Sequence, residues 1–152
     1  MHTDHDRLFR AGRGAVGILR SAADRGVQIQ VLLPGPHADK RFVQLAGEAL
    51  YPALFECGIE IWNFQPSMLH AKIMTVDKVL ANVGSANFNA RSTTLDEEIT
   101  VVALNADLTR ILDRHFDEDL ERSERIDPAR WRRRSGIQQL AEQAVKPLRR
   151  WF

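Results

Sequence analysis

Short apolar runs that alternate with stretches of helical periodicity restrict the fold of this chain more than any other feature of its sequence. The run at 27–33 alternates and then turns fully apolar, which is typical of a strand, and helical patterns lie on both sides of it. The same reasoning predicts further strands at 59–64, 71–76, 79–83 and 99–104. It predicts helices at 6–25, 42–57 (bent at Pro52), 106–122 and from Asp127 onward. The first two helices are predicted to end at Gly26 and Gly58, and a tight turn is predicted at 77–78. Strands that first alternate with helices and then follow one another predict an α/β sandwich with a mixed β-sheet flanked by helices.

The charges of the chain are unevenly distributed. Its formal net charge is +1, but residues 130–152 contain six Arg, one Lys and one Glu, so residues 1–129 carry −5. An acidic body with a basic tail suits an anionic surface. The apolar residues of the tail that recur at helical spacing are Ile137, Leu140, Ala141, Ala144, Val145 and Leu148. Such a segment fits an anionic lipid surface, and it fits packing against the body or a partner subunit equally well.

Four features are excluded or disfavoured by the sequence: an intrachain disulfide, a thiolate metal cluster, a membrane span and a signal peptide. Cys57 is the single cysteine, which excludes an intrachain disulfide and a thiolate metal cluster. No apolar run approaches the roughly 20 residues needed to cross a bilayer. The first residues, MHTDHDRLFR, lack the apolar stretch of a signal peptide. If the protein acts at a membrane, we therefore expect it to reach the membrane from one side.

The residues from His70 onward carry the most chemistry. Residues two apart in a strand share a face, so His70 and Lys72 are predicted to project together. Farther on, small residues at 84–86 lead into Asn87, where the backbone can approach a ligand closely. Lys72, Ser85 and Asn87 supply the hydrogen-bond donors that a phosphate requires. A neutral, oriented imidazole facing a phosphorus centre can act as a nucleophile.

An imidazole nucleophile needs a carboxylate on its other nitrogen to hold it in the reactive orientation. The candidates along the chain are Asp77, Asp96, Glu97 and Glu98. Spacing alone does not choose among them.

The arrangement of these residues resembles the HxKxxxxD…GSxN signature of the phospholipase D superfamily. The matching residues are His70, Lys72, Asp77, Gly84, Ser85 and Asn87, followed by Arg91 and Ser92. The stretches at 22–35, 58–72 and 115–134 also resemble the C-terminal half of bacterial cardiolipin synthases. The resemblance implies a phospholipase D-like catalytic half-domain, which we place at 1–129, before the basic amphipathic tail that charge and apolar spacing indicate at 130–152.

The resemblance also implies roles for individual residues. His70 would be the nucleophile or the general acid and base. Lys72 and Asn87 would bind the phosphate with Ser85 nearby, and Glu98 would orient the histidine. Asp77 would stabilise the turn, while Arg91 and Ser92 would support the loop or meet the substrate; Asp96 stands where the family usually has Asn.

Two features of the chain depart from the family pattern. Family active sites combine two such motifs, whereas this chain contains one. The apolar strand expected before the first helix is absent, and MHTDHDRLFR stands in its place. The resemblance therefore implies either the second half of a longer protein or a shortened relative that forms a homodimer.

The function that the resemblance implies is transfer of a phosphatidyl group between phosphatidylglycerol molecules through a phosphohistidine, with no metal or other cofactor. The expected partners are anionic phospholipid and a second motif, at the cytoplasmic side of the membrane. The basic residues lie in the tail rather than near His70, which favours lipid over nucleic acid. Two alternatives stay open: a homodimeric phosphodiesterase that hydrolyses phospholipid or nucleic acid, and an inactive lipid-binding remnant.

Overall fold

The computed structural model describes residues 13–37, 47–86 and 97–134. Its helices are α1 (Arg13–Asp24), α2 (Tyr51–Glu56), α3 (Ala106–Glu121) and α4 (Pro128–Arg132), and its strands are β1 (Gln30–Pro34), β2 (Glu60–Phe64), β3 (Ile73–Val76), β4 (Leu80–Gly84), β5 (Thr100–Leu104) and β6 (Ser123–Arg125). The strands form two three-stranded sheets, ordered β1-β2-β6 and β3-β4-β5. The predicted α/β class is confirmed, although within the described ranges the strands divide between two sheets rather than one.

The first sheet carries the apolar core. β1 runs parallel to β2, and β6 runs antiparallel to β2. Side chains of α1 and α2 pack on one face of this sheet, around a cluster in which Ile61 is fully buried. The buried members of the cluster are Tyr51, Leu54, Ile59 and Ile61, and the half-buried residues packed against them include Val16, Leu19, Val31, Leu33 and Trp131.

Glycine ends the two helices that precede the parallel strands β1 and β2 of this sheet. Gly26, with φ of 88°, follows α1, and the N–H of the next residue, Val27, donates to the Ala22 carbonyl at 3.1 Å. Gly58, with φ of 72°, follows α2, and Ile59 donates to the Leu54 carbonyl at 3.2 Å in the same way. A left-handed residue without a side chain allows this closing pattern, so both predicted helix ends are confirmed.

The second sheet is an antiparallel hairpin extended by one strand. Asp77 and Lys78 both adopt left-handed conformations, with φ of 50° and 59°, and Val79 donates to the Val76 carbonyl at 3.1 Å. Two successive left-handed residues make the tight turn whose twist matches the strands it joins. The predicted turn at 77–78 is therefore confirmed, and it fixes the register of β3 on β4.

Helix α3 contacts β3 and β4 of the second sheet and β2 and β6 of the first. Asn105 begins the helix by accepting a hydrogen bond from the Leu108 N–H at 2.9 Å. Thr109, one turn in, is fully buried, and its hydroxyl donates to the Asn105 carbonyl at 2.8 Å. A well-capped helix thus lies against both sheets.

Two of the predicted elements have other bounds. The first strand begins at Gln30 rather than Val27, because the Val27 N–H closes α1. The predicted second helix is interrupted rather than bent near Pro52: a turn at 49–50 separates the helical residues 47–48 from α2. Pro52 itself lies in the first turn of α2, where its missing N–H leaves no helical bond unmade. Strand β6 was not predicted. Residues 42–46 of the predicted second helix and the predicted amphipathic segment at 135–152 lie outside the described residues.

Candidate active site

His70 and Lys72 lie on the chain that leads into β3. The Gly84 N–H donates to the Lys72 carbonyl at 3.1 Å, so pairing with β4 extends back to Lys72. Strand alternation then gives Lys72 the same face as Met74, with His70 two residues before it. His70 is exposed and Lys72 is half-buried. An accessible imidazole and a partly desolvated ammonium therefore stand at one end of the second sheet.

The Lys72 ammonium donates to the backbone carbonyl of His70 at 2.9 Å. This bond joins Lys72 to the backbone of His70, and the shared direction of the two side chains stays a prediction. An ammonium has three N–H donors, so the remaining two are available to an anion beside His70. A phosphate oxygen would bind such a donor more strongly than a neutral carbonyl does, because the two opposite charges also attract each other.

Ser85 and Glu98 hydrogen-bond to each other at the place where β4 ends and β5 begins. The Ser85 hydroxyl donates to the Glu98 carboxylate, and the Ile99 N–H donates to the Ser85 oxygen at 3.1 Å. The Ser85 N–H in turn donates to the Ile99 carbonyl at 2.9 Å. Residues from two strands thereby fix the half-buried Glu98 carboxylate close to the strand end that also carries Lys72.

The Ser85–Glu98 bond was not predicted from the sequence. Both residues were candidates, but for different partners: Ser85 for phosphate and Glu98 for the imidazole. In the described residues no hydrogen bond joins Glu98 to His70, so the orienting role of Glu98 stays a prediction. Because the Ser85 hydroxyl has one proton and gives it to Glu98, Ser85 meets an incoming phosphate through another geometry or not at all.

Gly84 is required by the approach of β5 to β4. A Cβ atom at this position would lie 2.4 Å from the Ile99 carbonyl oxygen and 2.7 Å from the Thr100 hydroxyl oxygen. The sequence suggested that small residues here admit a ligand. The described structure shows that the backbone of β5 is what comes close, and this contact places Ser85 beside Ile99.

Asp77 lies at the opposite end of the hairpin from the candidate site. It is the first residue of the β3–β4 turn and is exposed. Five residues of extended chain separate it from Lys72, about 17 Å at 3.3 Å per residue. Asp77 is therefore positioned to stabilise the turn and is too distant to share a phosphate with Lys72.

Four further candidates, Asn87, Arg91, Ser92 and Asp96, lie outside the described residues, and their roles stay predictions. Glu97 is described and exposed. In the described ranges, no group of three or more His, Cys, Asp or Glu side chains could hold a metal ion, and no helix there is long and apolar enough to cross a bilayer.

Residues 8–120 match a protein-family model described as the PLD-like domain of cardiolipin synthase. Two curated relatives illustrate the similarity. The probable cardiolipin synthase YwiE of Bacillus subtilis is 37% identical over 110 residues, which cover 72% of this chain and 22% of that protein. Cardiolipin synthase 2 of Bacillus anthracis is 32% identical over 130 residues, which cover 86% of this chain and 25% of that protein. The chain spans about a quarter of the length of these relatives.

The fold is also similar to a solved structure. Nuc, a phospholipase D family member from Salmonella typhimurium, superposes with a TM-score of 0.65 and 23% sequence identity. The similarity covers 73% of this chain and 72% of that chain. At this level of identity the comparison establishes the fold.

Proposed function

The chain belongs to the family of cardiolipin synthase PLD-like domains, and from that membership we propose that it carries one half of the active site of a phosphatidyltransferase. The observation that supports this most is the contact between the Lys72 ammonium and the His70 backbone, at 2.9 Å, on an accessible strand end. A phosphodiester bound by Lys72 would lie within reach of the imidazole.

In the proposed reaction the neutral His70 imidazole attacks phosphorus, and the bond from phosphorus to the leaving alcohol breaks. A second histidine, from the other half of the site, gives its proton to the leaving oxygen. The phosphatidyl group is then covalently bound to His70. An incoming alcohol loses its proton to the second histidine, attacks phosphorus and releases His70 unchanged.

Lys72 is the proposed phosphate-binding cation, with Asn87 as a further donor. A positive charge fixed before the reaction stabilises the negative charge that accumulates on the phosphoryl oxygens in the transition state. Glu98 is proposed to hold the His70 ring once substrate is bound, which requires its carboxylate to move from Ser85 or to serve both groups.

A second motif must come from a second copy of the chain or from a partner half. One imidazole cannot be the nucleophile and also protonate the leaving oxygen in the same step. With phosphatidylglycerol as donor and acceptor, the products are cardiolipin and glycerol. With water as acceptor, the same chemistry is a phospholipase D hydrolysis.

We further propose that the domain at 1–129 works at an anionic phospholipid surface, to which the tail at 130–152 binds from the cytoplasmic side. The described start of the tail supports this proposal. Arg130, Arg132 and Arg133 are exposed and place positive charge at the start of the tail. Clustered basic residues are typical of segments that bind anionic lipid.

The test is phosphatidylglycerol turnover by wild type, His70→Ala and the control His115→Ala, with the solution mass of each protein measured by light scattering. His115 is an exposed histidine of α3, so its replacement also removes one imidazole but leaves the candidate site unchanged. We expect His70→Ala to lower turnover on the order of a thousand-fold or more. We expect His115→Ala to match wild type.

The solution mass distinguishes the two possible sources of the second motif. An active dimer would contain two copies of His70, whereas an inactive monomer would require a partner half. Turnover that survives His70→Ala would overturn the proposal. Cardiolipin among the products identifies the transferase, and phosphatidic acid alone identifies the hydrolase alternative.

A further inference from the structure

The second sheet has three rows of side chains on the face that contains Lys72. Successive residues of a strand point to opposite faces, and the register of β3 on β4 and of β4 on β5 sets which residues lie side by side. The Gly84 N–H donates to the Lys72 carbonyl at 3.1 Å, which continues this register by one residue to Lys72. The rows, which together we name the Lys72 face, are Lys72, Gly84 and Thr100; Met74, Asn82 and Val102; and Val76, Leu80 and Leu104.

The polarity of the Lys72 face changes from one row to the next. The row at the candidate site contains the Lys72 ammonium and the exposed Thr100 hydroxyl. The middle row combines the amide of Asn82 with two apolar side chains, and the last row is entirely apolar. The face is therefore cationic and polar where it meets the candidate site, and apolar towards the β3–β4 turn.

The apolar side chains of the Lys72 face are open to solvent. Met74 is 44% exposed and Val76 is 39% exposed on β3, and Val102 and Leu104 are 60% and 78% exposed on β5. Single exposed apolar side chains are normal at a protein surface, whereas a contiguous group of them indicates a binding surface. Because this group begins directly beside Lys72, it is continuous with the candidate active site.

The opposite face of the sheet differs in polarity and in cover. Ala81, at its centre, is 1% exposed, and α3 is packed on β3 and β4, which assigns the helix to this face. The row nearest the candidate site consists of Ile73, Val83 and Val101, without a polar side chain. A ligand with an anionic head and an apolar body therefore matches the Lys72 face and not the opposite one.

The length of the Lys72 face corresponds to that of an acyl chain. Val76 is four residues beyond Lys72, which is about 13 Å at 3.3 Å per residue. The hydrocarbon of one membrane leaflet is about 15 Å thick, half of the roughly 30 Å of a bilayer. Asp77 and Lys78 follow in the exposed turn and end the apolar surface there.

We propose that the Lys72 face binds the acyl chains of the phospholipid whose phosphate is bound at Lys72, with the chains lying over the rows of Met74 and Val76. The inference rests on the proposed function, because it takes Lys72 as the phosphate-binding cation. It assigns a site to the part of the lipid that the transfer chemistry does not touch. Since apolar binding grows with the area removed from water, chain length should determine affinity.

The probes are three soluble ligands: glycerophosphoglycerol, which has no acyl chain, and monomeric phosphatidylglycerols with two six-carbon or two eight-carbon chains. Their dissociation constants for the full chain are measured by NMR titration. We expect the eight-carbon lipid to bind about tenfold more tightly than the six-carbon lipid, because four CH₂ groups are added and an open face buries about half of each. Equal affinity for the two lipids overturns the proposal.

Val102→Gln and Val101→Gln form a matched pair of variants. The two valines are adjacent on β5, are 60% and 61% exposed, and point to opposite faces of the sheet. We expect Val102→Gln to reduce the gain from the longer chains to about threefold, because part of the apolar contact is lost. Val101→Gln should keep the wild-type gain. An equal reduction by both variants overturns the assignment to the Lys72 face.

A photoreactive lipid gives a measurement that needs no variant. The eight-carbon phosphatidylglycerol, with a diazirine at the end of one chain, is irradiated with the wild-type chain, and mass spectrometry locates the attached lipid. We expect attachment at Val76, Val102 or Leu104. Attachment mainly at Val101 overturns the proposal, and so does a dimer whose Lys72 face takes no label because a second copy covers it.

Lys72→Gln distinguishes failure of this inference from failure of the proposed function. All three ligands carry the phosphate, so the variant should weaken the binding of each. Glycerophosphoglycerol that binds wild type and Lys72→Gln equally would count against the proposed function. Binding that depends on Lys72 but does not improve with chain length would count against the Lys72 face alone.

Discussion

His70 and Lys72 were named as a pair because they are two apart in the sequence, and in the described structure the Lys72 ammonium donates to the His70 backbone carbonyl. Their roles in the candidate site stay predictions. The bond between Ser85 and Glu98 was not predictable, because it depends on how the ends of β4 and β5 meet. Residues that belong to a motif can thus be named from the sequence, but their partners across a sheet cannot.

Gly84 gives a prediction at the residue scale. Gly84→Ala would place a methyl group 2.4 Å from the Ile99 carbonyl oxygen, so β4 or β5 must shift. We expect the free energy of unfolding to fall by about 1–3 kcal/mol, as overpacking usually produces. Chemical denaturation monitored by circular dichroism measures this change.

Gly17→Ala is the matched control. Gly17 lies in α1, and a Cβ atom there would have no heavy atom within 4 Å. The same substitution should stabilise the chain by up to about 1 kcal/mol, because alanine favours a helix over glycine. A Gly84→Ala variant as stable as wild type would show that β5 can move away from β4 without loss.

Helices, strands and turns were predictable where the residues that determine them lie within the element or directly beside it in the sequence. The glycine ends of α1 and α2 and the left-handed turn at Asp77 follow from local conformational rules, and the described structure confirms them. Strand β6 has only Ser123, Glu124 and Arg125, without an apolar pattern, and it is a strand because β2 is beside it. The division of the strands into two sheets likewise depends on pairing between strands that are far apart in the sequence.

One carboxylate, that of Glu60, joins all three strands of the first sheet and gives a prediction at the scale of elements. Glu60 of β2 accepts from Gln30 of β1 at 2.9 Å and from Arg125 of β6 at 2.6 Å. The Gln30 hydrogen bond and the Arg125 charge hold the pKa of Glu60 below its usual value of 4.5, against a smaller opposing effect of burial. The lowered pKa stabilises the fold above pH 4.5, and this contribution is lost as the pH falls through the folded-state pKa.

Glu60→Gln should therefore destabilise the chain by about 0.5 kcal/mol at pH 7, the value typical of a partly exposed ion pair, and by less near pH 3. Thermal unfolding at both pH values measures the difference. Glu124→Gln is the control, since Glu124 and Arg130 are 3.9 Å apart and both are largely exposed. If the two variants respond to pH in the same way, Glu60 does not link the strands as described.

At the scale of the whole molecule, the charge distribution is uneven: the body is acidic and the tail is basic. The tail at 130–152 carries +6 and the body carries −5. Basic residues near an anionic membrane contribute about 1 kcal/mol each, and salt weakens that attraction. The molecule is therefore expected to bind an anionic surface through one end.

The variant Arg149→Gln combined with Arg150→Gln tests this expectation. We expect its affinity for vesicles that contain phosphatidylglycerol to fall about 30-fold at low salt, which corresponds to about 2 kcal/mol. The matched control replaces Arg110 and Arg114, which are exposed on α3 of the body, by glutamine. Sedimentation of vesicles at low and high salt measures both variants. Equal losses for tail and body variants would contradict a role specific to the tail.

The contact of α3 with both sheets has a consequence for how the molecule unfolds. Residues that exchange their amide hydrogens together form one cooperative unit, and units remain coupled only through the contacts between them. Here the buried Thr109 and its helix connect a sheet with a well-packed core to a sheet whose apolar side chains are largely exposed. If α3 frays, the hairpin that leads into His70 and Lys72 can open while the first sheet stays folded. The part of the molecule nearest the candidate site is then also the part that is least costly to unfold.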